Sequence, residues 1–385
     1  MSVGRWGQPA TRSTHAHVHR AAAPTRTAHD VARLPEEGER SAEYDQRMRT
    51  EGIWLRFLSG PDIESLGISR AEIIDAVADV VTAHGRGQTV FEPRVHLVPD
   101  NGGAGHFNVL RGHVSTLGAH GISGIKVVGD FVSNYQRGLP SELGLVTLYD
   151  PSTGVPLAII DGTFITEART GAMTAVGARV LARPDARILG HAGARGTAFS
   201  NVTMLDEIFD LSEIRVTSRR PESREAFAEQ LRAETDTPVR VTSSLAETFD
   251  GADILVEATR LTTPEPLLHP GLVRPGAFVV PYGTISAVSP DLLDVMDKVV
   301  VDDWREAQAG QFGALRHHVN AGILNEQSLH AELGQILAGD RPGRESPDER
   351  ILLWHRGLSI LDVAVANLIL ERAVAADTGT MLRYH

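Results

Sequence analysis

The sequence contains no cysteine among its 385 residues, which excludes disulfide bonds, thiolate metal ligands and a cysteine nucleophile. It also lacks any uninterrupted apolar run of the roughly 18–20 residues that a membrane-spanning helix needs. Lys and Arg number 37 against 49 Asp and Glu, and the net charge of -12 argues against a general affinity for nucleic acid. We therefore expect a cytoplasmic protein that acts on small molecules, without nucleic-acid or membrane partners, and that needs a bound cofactor for any redox chemistry.

The overall composition, 42% hydrophobic and 22% charged, is that of a globular protein. Because single cores stop growing near about 250–300 residues, a chain of 385 residues predicts two domains. Residues 1–48 combine Arg, His, Ala, Thr and Pro without apolar periodicity, and we interpret them as a disordered extension. His15, His17 and His19 alternate there, but in a flexible tail such a pattern seldom binds a metal ion. We predict no metal site.

Residues 49–182 carry the patterns of a mixed α+β domain. A helix is predicted over 69–84, where the apolar residues fall at helical spacing: Ile73, Ile74, Val77 and Val80. From 95 to 160 the apolar runs are short, β-branched and separated by turn residues, which predicts mostly sheet. The helix predicted over 166–181 is rich in Gly and Ala, which suits close packing against another element.

Beyond Ala186 strands and helices alternate, as in the βαβ units of a parallel sheet. Strands are predicted at 187–192, 214–217, 239–241, 254–258, 278–281 and 298–301, and helices at 197–209, 223–234 and 244–248. We assign residues 183–324 to a Rossmann-type doubly wound domain, so that the fold class is α/β. Helical patterns at 328–338 and 359–376 predict that residues 325–380 return to complete the first domain.

The turn after the first of these strands has the composition of a phosphate cradle: Gly193, Ala194, Arg195, Gly196, Thr197 and Ala198. Glycines let the backbone approach a pyrophosphate, and the N-terminus of the following helix offers free N–H groups. A strand-to-helix turn with two glycines is also common for structural reasons alone. The prediction of a dinucleotide site therefore depends on the chain of βαβ units that follows the turn.

Several separate stretches resemble the ornithine cyclodeaminase/μ-crystallin family, in the same order along the chain from about Gly52 to Ala376. They are Glu92-Pro-Arg94, Gly124-Ile-Lys126-Val-Val, Gly138-Leu-Pro140, Asp150-Pro-Ser-Thr-Gly-Val-Pro-Leu-Ala, Asp161-Gly, Ile165-Thr-Glu-Ala-Arg169-Thr-Gly-Ala172, Gly251-Ala-Asp-Ile254, Pro275-Gly-Ala277, Val301-Asp-Asp303 and Ala331-Glu-Leu-Gly334. The resemblance implies an N-terminal sheet domain that forms a homodimer, a Rossmann domain, and an active site in the cleft between the two.

In the family, cationic side chains hold the carboxylate of the substrate, and their places fall here on Arg94, Lys126 and Arg169. A guanidinium binds a carboxylate with two parallel hydrogen bonds, and an ammonium adds a point charge that can also share a proton. Any one of these cations alone could equally be a solvated surface charge. Lys126 differs because it lies in an apolar strand, where an unpaired ammonium is costly and a lowered pKa suits proton transfer.

The cofactor motif departs from the family pattern. Arg195 replaces the second glycine of the turn, which obstructs the pyrophosphate unless its guanidinium itself pairs with a phosphate. The second strand ends in Ser218, Arg219 and Arg220 with no acidic residue, which favours NADP(H) over NAD(H), although these arginines could simply cover the next helix. Thr259 and Gly283 complete the cofactor-binding set that we predict.

The position of the family's proton-transfer residue also differs from the family pattern. Family members that release ammonia use an aspartate after the Val-Gly-Gly turn, and Ile285 stands in its place here. Lys126, Ser286 and Thr284 remain as candidate catalytic residues.

The leading hypothesis is an NAD(P)H-dependent oxidoreductase that reduces an imine, or oxidises an amine, of a small amino-acid-like or imino-acid carboxylate, acting on CH-NH or CH-NH2 groups. The alternatives are an NAD-dependent cyclodeaminase that releases ammonia and a non-catalytic, crystallin-like ligand-binding protein. Fold resemblance by itself does not decide among them.

Overall fold

The computed structural model describes residues 52–100, 102, 105–261, 263–283 and 285–385. The predicted extension at 1–48 and the candidate residue Thr284 lie outside them. The described part of the chain folds around two sheets, in agreement with the predicted α/β class.

The first sheet has seven strands within the described residues, in the order β15-β1-β6-β5-β4-β3-β2. They are β1 (Trp54–Leu58), β2 (Thr89–Leu97), β3 (His106–Val114), β4 (Ile122–Asp130), β5 (Glu142–Tyr149), β6 (Pro156–Asp161) and β15 (Thr380–Arg383). All neighbours are antiparallel except β1 and β6. Successive residues along each strand point alternately to the inner and the outer face of the sheet.

Three long helices cover the inner face of this sheet. They follow the short α1 (Gly60–Ser65) and are α2 (Arg70–Gly85), α3 (Gly162–Leu181) and the C-terminal α10 (Ser359–Ala375). Helix α2 begins with a capping box between Ser69 and Glu72, and the four apolar residues predicted to face the core are buried. In α3, a Cβ atom on Gly171 would lie 2.5 Å from the backbone of Ser200. The small residues of α3 thus allow the close packing that their composition predicted.

The outer face of the first sheet is apolar and exposed. Ile125, Val127, Leu143 and Leu145 project from the adjacent strands β4 and β5, with 39–51% of each residue accessible. Scattered apolar residues are normal on a surface, but a contiguous patch of this kind marks an interaction surface.

The second sheet is parallel throughout, with eight strands in the described residues in the order β13-β12-β14-β11-β10-β7-β8-β9. They are β7 (Ile188–Ala192), β8 (Glu213–Thr217), β9 (Val239–Val241), β10 (Ile254–Glu257), β11 (Phe278–Pro281), β12 (Lys298–Val301), β13 (Ala331–Glu332) and β14 (Ile351–Trp354). The helices between them are α4 (Ala198–Ile208), α5 (Pro221–Arg232), α6 (Leu245–Phe249), α7 (Trp304–Gln308), α8 (Arg316–Asn320) and α9 (Leu333–Leu337). The strand order reverses between β7 and β10, as in doubly wound nucleotide-binding folds.

The C-terminal part of the chain divides between the sheets. Residues 325–380 do not all return to the first domain as expected from the sequence, because β13 and β14 join the second sheet. The segment at 328–338 forms the short β13 and α9 instead of one helix. Strand β14 enters between β11 and β12, where the apolar run Ile351–Trp354 is fully buried. Among the described residues, no helix is both long and apolar enough to cross a bilayer.

Candidate active site

A cleft lies between the inner face of the first sheet and the carboxyl ends of β7, β10 and β11, where ligands bind in open parallel sheets. Its lining includes Arg94, His96, His106, Asn108, Lys126, Asp130, Glu142, Thr166, Arg169, Arg195, Gly196, Thr197, Thr259, Arg260, Tyr282, Gly283, Trp354 and His355. The three cations predicted to bind a carboxylate therefore meet five of the predicted cofactor residues in one cavity.

Lys126 and Arg169 share one buried carboxylate, that of Asp362 on α10. Lys126 Nζ donates to Asp362 Oδ1 at 2.5 Å, and Arg169 Nε donates to the same oxygen at 3.1 Å. Nζ also lies 3.3 Å from Thr166 Oγ1, whose hydroxyl donates to the Gly162 carbonyl. Among the described residues, Asp362 Oδ2 is buried without a hydrogen bond. Two cations thus share one carboxylate, and the three side chains together carry an excess positive charge.

Burial lowers the pKa of Lys126 to about 8, and the positive charge of Arg169 acts in the same direction. The Asp362 carboxylate opposes both effects because it stabilises the ammonium. Lys126 is thus charged at neutral pH and close enough to its pKa to give up a proton, which is the property expected of a general acid.

Arg94 enters the cleft because a bulge interrupts the pairing of β2 and β3 between Glu92 and Val95. Its Nε donates to Glu306 Oε1 at 2.5 Å, and its Nη2 donates to the carbonyls of Arg356 and Gly357. Arg94 is therefore held in a fixed orientation, with part of its charge already balanced by Glu306.

Helix α7, which carries Glu306, is anchored by a polar cluster outside the cleft. His84, Asp303 and Glu332 place one ligand atom each within 4.8 Å of one another. Asp303 Oδ1 accepts the Glu306 N–H, and Glu332 Oε1 accepts the Trp304 N–H. These bonds cap the helix, so the cluster positions Glu306.

The turn after β7 fits a dinucleotide phosphate. Gly193 has φ +113, and a Cβ there would lie 2.6 Å from the Ala258 carbonyl oxygen, so only glycine closes this turn against β10. Gly196 also has a positive φ, with open space around it. The side chain of Thr197 does not cap α4, and the Ala198 N–H donates to the Arg195 carbonyl at 3.3 Å. The N–H groups that follow Ala198 at the start of this 11-residue helix are therefore the ones suited to an anion. Ala198 is buried as its first residue.

Thr197 also contacts Tyr282. Its hydroxyl lies 2.8 Å from the Tyr282 hydroxyl, which also accepts from the Asn201 amide. The Tyr282 ring stacks on His355 with centroids 5.6 Å apart. Burial raises the pKa of Tyr282 and lowers that of His355 to about 3, so both groups are neutral here. They form a rigid, uncharged wall where β11 and β14 end.

Arg195 does not point into the turn. Its guanidinium lies 4.7 Å from the ring centre of Tyr135, and that of Arg220 lies 5.5 Å from the same ring. Ser218 donates to the Arg220 carbonyl, and Arg219 is exposed. Two arginines thus follow β8, and Arg195 from the turn after β7 lies on the same tyrosine ring as Arg220. Residues 218–220 include no carboxylate, which suits an anionic group at this edge of the cleft.

Thr259 and Gly283 border the cleft, and the residue after Thr259 spans it. Arg260 donates to Asp130 Oδ1 at 2.7 Å and to Glu142 Oε1 at 2.5 Å, both on the first sheet. Thr259 donates from its amide and its hydroxyl to Glu257, and burial raises the pKa of that carboxyl to about 7.

Ser286, a predicted catalytic residue, does not line the cleft. Its hydroxyl donates to the Ala314 carbonyl at 2.6 Å, and the side chain is buried. The geometry therefore favours Lys126 over Ser286 as the proton donor.

Sequence reasoning missed Asp362, Glu306 and Tyr282. Asp362 is an acid in the apolar stretch 359–366, and that isolation was a usable signal because a buried acid needs a partner. The sequence around Glu306 and Tyr282 contains no comparable signal. Their importance depends on residues more than 80 positions away.

The fold is that of a Rossmann-type dinucleotide-binding protein, and Arg94, Lys126 and Arg169 line one cleft with residues of the glycine turn. The chain belongs to the ornithine cyclodeaminase/mu-crystallin family, whose model matches residues 56–377, and the resemblance noted in the sequence is confirmed.

Three relatives illustrate the membership. Alanine dehydrogenase of Archaeoglobus fulgidus is 29% identical over 332 residues, which cover 85% of this chain and 98% of that protein. The structure of Thermococcus litoralis Delta(1)-pyrroline-2-carboxylate reductase with NADH and L-proline matches with a TM-score of 0.78 at 29% identity, covering 85% of this chain and 99% of that one. An archaeal alanine dehydrogenase dimer with bound NAD matches with a TM-score of 0.78 at 27% identity, covering 86% and 100%.

Proposed function

We propose that this protein is an NAD(P)H-dependent oxidoreductase that reduces the C=N bond of a small imino acid or, in reverse, oxidises the corresponding amino acid. The observation that carries the proposal is that Lys126, Arg169 and Arg94 line a single cleft with residues 195–197 of the glycine turn. The relatives named above are reductases and dehydrogenases of this chemical class.

The substrate carboxylate would bind at the cationic cluster. Asp362 leaves one positive charge uncompensated between Lys126 and Arg169, and a second carboxylate neutralises it. The nicotinamide cofactor, when bound, supplies the hydride. Lys126 Nζ then gives a proton to the substrate nitrogen, and Asp362 orients Nζ for that transfer. The neutral Tyr282 and His355 exclude water from the same end of the cleft.

Reduction is favoured over cyclodeamination. Ile285 stands where ammonia-releasing relatives place an aspartate, and the hydroxyl of the neighbouring Ser286 is bonded to a backbone carbonyl. Among the described residues, this loop offers no acidic side chain to the cleft.

The proposal is tested by NADPH and NADH oxidation with cyclic imino acids and with 2-oxo acids plus ammonia or methylamine, followed by absorbance at the nicotinamide band. We expect turnover of at least one carboxylate-bearing imine and none of the matching decarboxylated imine. Inactivity across the whole panel, with dinucleotide binding intact, would instead support a ligand-binding protein without turnover.

We further propose NADP(H) as the preferred cofactor, whereas the relatives in the solved complexes carry NAD(H). Arg195, Arg219 and Arg220 surround the end of β8, and a 2′-phosphate gains charge-assisted bonds there. Arg220→Ala should raise the KM for NADPH about tenfold and leave that for NADH unchanged, since such bonds contribute about 1.5–3 kcal/mol. Arg240→Ala, which alters an arginine paired with Glu213 on the neighbouring strand, is the control. An equal effect on both cofactors would contradict the assignment.

The exposed apolar face of the first sheet supports a homodimer, and one structural relative is a dimer. Placing a charge at Val127 or Leu145 puts an unpaired carboxylate into that interface. Val127→Glu and Leu145→Glu should therefore elute as monomers in size-exclusion chromatography with light scattering. Val374→Glu, at a comparably exposed apolar residue of α10, should leave the oligomer unchanged. A monomeric parent protein would refute the proposal directly.

A further inference from the structure

The cleft continues beyond the cationic cluster along the inner face of the first sheet. Lys126 pairs in register with Leu110 on β3, and two residues further along β3 Asn108 pairs with His96 on β2. Because strand residues two apart share a face about 6.6–6.8 Å apart, His96 and Asn108 lie one step beyond the position that holds the substrate carboxylate. They are therefore polar side chains next to that position along the same face of the sheet.

This end of the cleft is closed by rings. The centroids of His96 and His106 lie 5.2 Å apart, and Phe312 lies 5.9 Å from His96 and 5.7 Å from His106, stacked on the latter. The three rings come from β2, β3 and the loop after α7. They form a compact subsite of defined width.

The subsite contains polar atoms that lack protein partners. Both ring nitrogens of His96 and the Oδ1 atom of Asn108 are buried without a hydrogen bond among the described residues. Burying such atoms unpaired is unfavourable, so their presence is explained when a ligand supplies the missing partners. An aliphatic side chain would leave all three unpaired.

The charge around the subsite limits which ligand fits. The positive charges of Arg94 and Arg356 act on His96. His96 Nε2 and Arg356 Nη2 both lie beside Gly310. The nearby carboxylate of Glu306 is engaged by Arg94. A cationic side chain would be repelled here, whereas a carbonyl oxygen is attracted.

We propose that His96, Asn108 and His106 form a specificity subsite for a substrate side chain that ends in a carbonyl group, either a carboxamide or a carboxylate. The imidazole N–H of His96 donates to the ligand carbonyl oxygen, and Phe312 packs on the methylene groups. Asn108 Oδ1 accepts from the N–H of a carboxamide; for a carboxylate, the Asn108 side-chain amide turns over so that Nδ2–H donates to the second oxygen. The inference rests on the proposed function because the α-carboxylate must be held at Lys126 and Arg169 for the side chain to reach the subsite.

The test is calorimetric binding of three amino acids of similar shape in the presence of oxidised cofactor: L-glutamine, L-glutamate and L-homoleucine, whose side chain ends in an isopropyl group. We expect glutamine or glutamate to bind at least tenfold more tightly than homoleucine. The better of the two identifies the group as amide or acid. His96→Phe and Asn108→Leu should each reduce the preference to less than twofold, and the exposed His269→Phe should leave it unchanged.

The binding results distinguish a failure of the proposed subsite from a failure of the proposed function. Tight binding of homoleucine with no gain for the carbonyl-bearing ligands would overturn the subsite and leave the carboxylate clamp standing. Failure of all three ligands to bind would overturn the clamp, and the subsite with it. A preference that persists in both variants would show that other residues recognise the substrate side chain.

Discussion

Lys126→Met should lower kcat/KM for imine reduction by about 10³-fold, since it removes both a carboxylate contact and the proton donor, and general acids alone contribute about 10²–10⁴-fold. The effect should fall on kcat as well as on KM. Thioether replacement suits the buried site, and Asp362 keeps its contact with Arg169, so the variant should fold. Unchanged dinucleotide binding and an unchanged circular dichroism spectrum are the controls. A loss confined to KM would assign Lys126 to binding alone.

The same residue predicts a pH dependence. Because burial lowers the pKa of Lys126 to about 8, the ammonium form is present below that pH and is lost as the pH rises through it. The kcat/KM for reduction should thus be level below pH 7 and fall about tenfold per pH unit above 8. Lys126→Arg, whose guanidinium stays charged, should have low activity without this alkaline fall. A fall that persists in Lys126→Arg would place the titration in another group.

Asp362→Leu should lower the free energy of unfolding by about 3–5 kcal/mol, because it leaves the cations of Lys126 and Arg169 buried without their shared carboxylate. The measurement is urea denaturation of the parent and the variant. Asp75→Asn, which breaks the exposed bridge to Arg179, should change the stability by less than about 1 kcal/mol.

A double variant distinguishes lost charge pairing from lost packing. Combining Lys126→Met with Asp362→Leu removes one of the two stranded cations, so a substantial part of the stability should return. If the losses of the two single variants simply add, the buried ion cluster does not account for the stability at this position.

Local patterns were sufficient for most of the second domain. The alternation of β-branched runs and amphipathic segments after Ala186 depends on periods of 2 and 3.6 residues, which are properties of neighbouring residues. The structure has strands and helices at the predicted places from β7 to β12. Strand β14 was missed because a four-residue apolar run such as Ile351–Trp354 is too short for its periodicity to distinguish a strand from a helix. Its place between β11 and β12 is decided by the tertiary structure.

The family, the α/β fold class and the glycine turn were thus readable from the sequence, since each depends on order and spacing along the chain. The pairing of charged side chains within the site could not be read from the sequence. Lys126 and Asp362 are 236 positions apart, and Arg94 and Glu306 are 212 apart. A cation's isolation or pairing is a property of what the fold brings within about 4 Å of it. Only the tertiary structure could therefore decide that Lys126 shares a carboxylate with Arg169, that Arg195 lies on Tyr135, and that Ser286 faces away from the cleft.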